Sequence, residues 1–229
     1  MINVSSAYQN AIASYGREFK TRVTIGTTVI DSSKIKSIEI EDTFNGSDNE
    51  LLIGSAISKK LKLSIFNAGA ISYATSPIKI ESGLVLPNNT VEYVTMGTYY
   101  PAKTESKDDW QTIDIEAYDF ISKLNKPYVP TVSLPTTDTA IINDICTQNG
   151  IKFIGSGLGC VINKIYDYTE REQLGYMAGL QGRNAYITRN NKLDFKWYLM
   201  PKKYSEIETL KWSDAEKMSW AELSRRENR

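Results

Sequence analysis

The chain has 229 residues, with 27 basic and 27 acidic side chains, no histidine, two cysteines and 41% hydrophobic residues. Without histidine, imidazole acid–base catalysis, Ser–His–Asp and Cys–His nucleophile activation and imidazole-dependent zinc sites are excluded, because no other side chain titrates unperturbed near neutrality. A formal net charge of zero argues against a protein that grips nucleic acid by its phosphates, and the length suits one large domain or two small ones.

Cys146 and Cys160 are too widely spaced for a CxxC redox or metal motif and read as reduced, structural residues. No apolar run approaches the roughly 20 residues that cross a bilayer. The N-terminus lacks the basic start and apolar stretch of a signal peptide. The expectation is a soluble protein made in a cytoplasm, without membrane insertion.

Tyr8, Ala11, Ile12, Tyr15 and Phe19 recur at helical spacing, so Ser5 or Ser6 caps a short amphipathic helix ending near Gly16. A helix this short is marginal alone, and its apolar face must lie on its own barrel or on a neighbouring subunit. From Phe19 the period changes to two. FKTRVTI places Phe19, Thr21, Val23 and Ile25 on one face, and SIEIED, KLKLSIF, IKIESGLVL, VEYVTMGTYY and WQTIDIEAY continue the alternation. One apolar and one polar face means antiparallel pairing, and about seven strands at this spacing describe a barrel or sandwich closed by the short helical segment AYDFISKL.

Pro127, Pro130 and Pro135, three of the seven prolines, fall within nine residues and mark a boundary. Thr137 or Asp138 then caps a helix carrying Ala140, Ile141, Ile145 and Cys146, which ends at Gly150. Thr169 and Glu172 form a capping box opening a helix with Leu174, Met177, Ala178 and Leu180, stopped by Gly182. NAYITRNNKLDFKWYL reads as a hairpin turning at Asn190 and Asn191. Residues 202–229 hold seven basic and six acidic side chains among 28 positions, around Trp212, Met218, Trp220 and Leu223. The fold class expected is α+β and β-rich. A helical arm (1–18) precedes an antiparallel β-barrel or sandwich domain (19–126), a small α+β domain (127–200) and a charged segment (201–229) that reads as the start of a further domain.

Few constellations suggest chemistry. Gly155, Gly157 and Gly159 form the only glycine-rich loop, without dinucleotide or P-loop spacing, and read as a flexible loop. Asp114 and Glu116 project from one strand face about 7 Å apart, near the separation of a glycosidase pair, yet the alternation already demands a polar face there. The same holds for Glu39 and Glu41 on a strand and for Asp108 and Asp109 in a loop; none has calcium-loop spacing. Tyr99, Tyr100, Trp110, Trp197 and Tyr198 are candidates for sugar stacking or a partner interface, against ordinary sheet packing. Asn88, Asn89 and Thr90 match a glycosylation acceptor, without meaning in a chain that lacks a secretory signal. No catalytic, cofactor-binding or metal residue is assigned, and a binding or structural role is favoured over catalysis.

The succession of elements, carried by IGSAISKKLKLSIFN, GTYYPAKTE, IEAYDFISKL and then TDTAIINDICTQNGIKF and YTEREQLGYMAGLQGRNAYITRNNKLDFKWY, resembles the N-terminal region of bacteriophage and prophage tail-hub proteins. The resemblance spans residues 19–198. It implies a non-enzymatic virion structural protein that forms homotrimeric rings. Two barrel-like domains per subunit give such rings a pseudo-sixfold surface joining tail tube to tip around the channel for DNA. The partners it implies are further copies of the chain, the distal tail protein, the tail tube and the tape-measure protein. No sequence-specific nucleic acid is implied, and the location is the virion tail, after assembly in the host cytoplasm. Hubs of this kind continue with a second barrel, which is expected to begin near residue 201. The alternative is a carbohydrate-binding or adhesion module.

Overall fold

A computed structural model describes residues 4–42, 53–67, 69, 71–107 and 111–196. The architecture is β-rich α+β. Seven strands form one antiparallel sheet: β1 (Phe19–Ile25), β2 (Thr28–Ile30), β3 (Ile35–Glu41), β4 (Lys60–Phe66), β5 (Ile78–Val85), β6 (Val91–Lys107) and β7 (Thr112–Tyr118), in the order β2-β1-β5-β6-β7-β4-β3. The strands alternate as their sequence requires. Leu61, Leu63 and Ile65 stand opposite Ala117, Ile115 and Ile113, and Val23 and Ile25 stand opposite Ile80 and Ile78. All ten side chains enter one core, together with Ile30 and Tyr99. Burying each large aliphatic side chain contributes about 1.5–3 kcal/mol.

The long strand β6 makes this core possible. Residues 91–99 pair with β5 and residues 100–107 with β7, so the strand leaves one half of the sheet and enters the other. The passage is marked by a register shift between Pro101 and Lys103. A proline is tolerated there because a bulge does not need its missing amide, and the bend folds the two halves over a common interior.

The N-terminal helix α1 (Ser6–Ala13) is capped by Ser5 and stops earlier than its sequence period suggests, with Ser14 bonding back to the Ala11 carbonyl. Only half of its apolar face is covered. Tyr8 and Ala11 pack on Leu84 and Leu86, whereas Ile12, Tyr15 and Phe19 are exposed. Phe19, expected on the inward face of β1, therefore lies beyond the reach of the core.

A second core gathers helices α2 (Asp138–Gln148) and α3 (Glu170–Gly179), the short pair β8 (Thr136–Thr137) and β9 (Val161–Ile162), and the hairpin β10 (Asn184–Ile187) with β11 (Leu193–Lys196). The caps match the sequence signals: Thr137 caps α2, Gly150 follows it in the left-handed region, and Thr169 with Glu172 closes a capping box on α3. The hairpin turns through Asn191 at φ 54°. A 3-10 turn, Phe120–Leu124, buries Phe120, Ile121 and Leu124 in this second core, directly after β7.

The hairpin is flanked by two short segments that carry no strand period. Residues 54–57 run parallel to β10, with the Ala185 amide donating to the Ser55 carbonyl at 2.8 Å and the Ile57 amide to the Ala185 carbonyl at 3.0 Å. On the other edge, the Leu193 amide donates to the Lys152 carbonyl and the Ile154 amide to the Leu193 carbonyl, both at 2.9 Å. The connection between β3 and β4 thus threads into the second core before returning to the sheet. It lies directly on α3. A Cβ at Gly175 would stand 2.8 Å from the Gly54 carbonyl oxygen, and one at Gly179 would stand 3.0 Å from the Gly54 Cα. The proline-bearing linker is held as well. Asp144 on α2 accepts bonds from the Tyr128 hydroxyl (2.6 Å), the Thr131 amide (3.0 Å) and the Thr131 hydroxyl. No helix among the described residues is long and apolar enough to cross a membrane.

Candidate assembly and ligand surfaces

The outer face of β3, β4, β7 and the second half of β6 is a lattice of alternating charge. Glu39 stands opposite Lys62, Lys62 opposite Glu116 and Glu116 opposite Lys103, each pair on adjacent strands. Lys62 bonds both Glu39 and Glu41, Lys60 reaches Glu116 at 3.0 Å, Lys103 reaches Glu105 at 2.6 Å and Lys107 reaches Asp114 at 2.5 Å. Such exposed pairs add little to stability, but they keep the face solvated and its charge nearly balanced.

Asp114 and Glu116 belong to this lattice. The Lys107 ammonium and the Ser64 hydroxyl hold the Asp114 carboxyl below its ordinary range, and the Tyr118 hydroxyl and Lys60 do the same for Glu116. A glycosidase pair needs one carboxyl raised so that it can donate a proton. Both are instead held ionised, which is the solvated face that the alternation demanded.

The amides of the glycine-rich loop already have a partner. Asp138, fully buried at the start of α2, accepts the Leu158 and Gly159 amides at 2.8 Å each, so those two donors face a side-chain carboxyl group rather than a phosphate. Gly157 is required by the fit, since a Cβ there would fall 2.0 Å from the Thr139 hydroxyl. Asn88 accepts the Thr90 amide and hydroxyl within a tight turn whose next residue, Asn89, has φ 62°. Cys146 is buried, with its thiol pushed up to about 12 by desolvation, and Cys160 is exposed; neither forms a disulfide. Among the described residues no group of three or more acidic or sulfur ligands is placed to hold a metal ion.

The aromatic candidates divide. Tyr99, a candidate for a partner interface or for ordinary sheet packing, is a core residue only 1% exposed, with its hydroxyl raised to about 12 by burial. Its face of β6 is the inward one, because Ile78 is its cross-strand partner. Tyr100 is half-buried, edge-on to Phe120 at 5.6 Å, with the Lys123 ammonium 3.6 Å above its ring. Trp110, Trp197 and Tyr198 lie outside the described residues, as do Asp108 and Asp109 and residues 201–229.

A group of aromatics that period and spacing do not single out stands elsewhere. Tyr166 and Tyr168, ahead of α3, and Tyr176 on that helix form a strip with ring centroids 5.8 Å and 6.0 Å apart. The one sequence signal is their placement around the capping box. A cleft of about 370 Å³ adjoins the strip, floored by residues 54–56 and Gly175 and rimmed by Tyr168, Arg171, Glu172 and Tyr176. A second cleft, of about 630 Å³, lies between Tyr100, Tyr118, Lys123 and Arg171. Other exposed apolar groups include Ile12, Tyr15 and Phe19 near the N-terminus and Val29 on the edge strand β2. The sheet ends in the two outer strands β2 and β3.

No protein-family model matches the chain, and no curated protein matches it in sequence. Among solved structures it is similar to the tail protein of Neisseria meningitidis MC58, with a TM-score of 0.55 and 11% identity over 77% of this chain and 50% of that one. It is likewise similar to the 43 kDa tail protein of prophage MuSo2 from Shewanella oneidensis, with a TM-score of 0.50 and 15% identity over 78% of this chain and 53% of that one. The chain spans about half the length of these two proteins and shares their fold.

Proposed function

We propose that the chain is a non-enzymatic structural subunit of a phage or prophage tail, and more specifically the N-terminal part of a tail-tip or baseplate hub. The observation that carries this reading is the fold shared with two tail proteins over more than three quarters of the chain. In this reading residues 19–126 form the barrel-like domain and residues 127–200 the second domain. Copies of the chain, three by resemblance, assemble into the ring that joins tail tube to tip and encloses the DNA channel. The distal tail protein, the tail tube and the tape-measure protein are its neighbours, and the virion tail is its location.

The surfaces suit this role. The half-covered arm offers Ile12, Tyr15 and Phe19, and β2 and β3, the outer strands of the sheet among the described residues, offer backbone edges of the kind that pair with another chain. A charge-balanced outer face would let nucleic acid pass without gripping its phosphates. The complete open reading frame, examined by light scattering and electron microscopy, is expected to give rings of a single copy number. A strictly monomeric product that also fails to bind neighbouring tail proteins would refute the reading.

A further inference from the structure

The strip of Tyr166, Tyr168 and Tyr176 serves no purpose in the packing of the second core. Tyr166 is 51% exposed and Tyr176 is 54% exposed, although each ring is large enough to anchor a contact. The neighbouring rings are tilted by 40° and 31°, so the three do not form a parallel face-to-face stack. Lys164 lies 4.8 Å over the far ring, at one end. At the other end is the cleft, whose floor is the contact of residues 54–56 with α3, where Gly175 has no Cβ and the two backbones lie close together.

The rim of this cleft carries both donors and acceptors. Arg171 Nε donates to the Ala56 carbonyl at 3.0 Å, which fixes the guanidinium and leaves its two terminal nitrogens without a partner among the described residues. Glu172 accepts the Thr169 amide and hydroxyl through Oε2, both at 2.8 Å, which leaves Oε1 as an acceptor. The hydroxyls of Tyr168 and Tyr176 add groups that do both. An apolar platform beside paired donors and acceptors matches a pyranose, whose C–H face is apolar and whose hydroxyls donate and accept together. A polyproline segment, the other ligand that docks on aromatic strips, offers only carbonyl acceptors and leaves a carboxylate unanswered.

We propose that the tyrosine strip and the cleft beneath it form a saccharide-binding subsite, with the rings as platform and Arg171 and Glu172 as the hydroxyl-reading pair. The assignment does not depend on the tail reading. The test is a titration of the 229-residue protein, with tyrosine rings labelled for NMR, against maltotetraose, tetra-N-acetylchitotetraose and, separately, decaproline. At least one tetrasaccharide is expected to shift the ring signals of Tyr166, Tyr168 and Tyr176 with a Kd of about 1–10 mM, the range of a single shallow subsite. Tyr176→Ala is expected to weaken binding by about tenfold, and Tyr176→Phe, which keeps the ring, to retain most of it. Should Tyr176→Ala lose the native spectrum, Tyr166→Ala at the opposite end carries the same test. Unmoved ring signals with both sugars at about 20 mM would overturn the proposal. So would binding that is undiminished in the alanine variants, or tighter binding of decaproline.

Discussion

Replacing Asp119 by Asn tests how the sheet is joined to the second core. The Asp119 carboxylate is 2% exposed and accepts bonds from the Ser58 hydroxyl (2.8 Å), the Lys59 amide (3.1 Å) and the Ile121 amide (3.1 Å), at the point where β7 passes into the Phe120–Leu124 turn. Burial outweighs these bonds and raises its pKa from 3.8 to about 6. The folded state therefore holds a proton that the unfolded state releases. The associated stability is fully present below about pH 3.8 and is lost as pH rises through about 6, a linkage of about 3 kcal/mol. Asparagine does not titrate, but its amide group meets the Lys59 amide donor to donor, at a cost of about 1–3 kcal/mol. Urea unfolding of both proteins at pH 4 and pH 7.5 separates the two effects, since every other group titrates alike in each. The variant is expected to be the less stable protein at pH 4 and to recover by up to about 3 kcal/mol relative to wild type at pH 7.5. A stability difference that stays constant with pH would refute the claim that burial dominates at Asp119, and a difference that widens would show that the three bonds win.

Gly175→Ala is expected to lower stability by about 1–3 kcal/mol in thermal unfolding, despite alanine's better helix propensity, because the new methyl meets the backbone of residues 54–56. Asp144→Ala removes the anchor of the proline-bearing linker, and a loss of about 2–4 kcal/mol should be accompanied by faster proteolysis within residues 129–135. Asp114→Asn and Glu116→Gln, made together, should leave the denaturant midpoint almost unchanged, since both groups sit in surface ion pairs. A thiol reagent should label Cys160 in the native protein and reach Cys146 only on unfolding, as mass spectrometry would report.

Much of the fold was legible because alternation and capping are local. Val23 and Ile25, Leu61, Leu63 and Ile65, and Ile113 and Ile115 reach the core that their period predicts. Thr137, Thr169 and Glu172 cap as their spacing predicts. The candidate surface was far less legible. Period marked Tyr99 as readily as Tyr100, yet the first is core and the second half-buried. It gave no weight to Tyr166, Tyr168 and Tyr176, whose rings come together only in the folded chain.

Residue order along the chain thus established an antiparallel sheet with one apolar face, two capped helices, a hairpin and a polar lattice in place of an acid pair. Tertiary structure decided what covers each apolar face. It bent β6 at Pro101 so that two half-sheets share one interior, and it drew residues 54–57 onto β10 through backbone bonds and onto α3 where Gly175 and Gly179 leave room. It also left Ile12, Tyr15 and Phe19 uncovered. The reason is that periodicity reports which side of an element avoids water, whereas the partner of that side is set by contacts between residues distant in sequence.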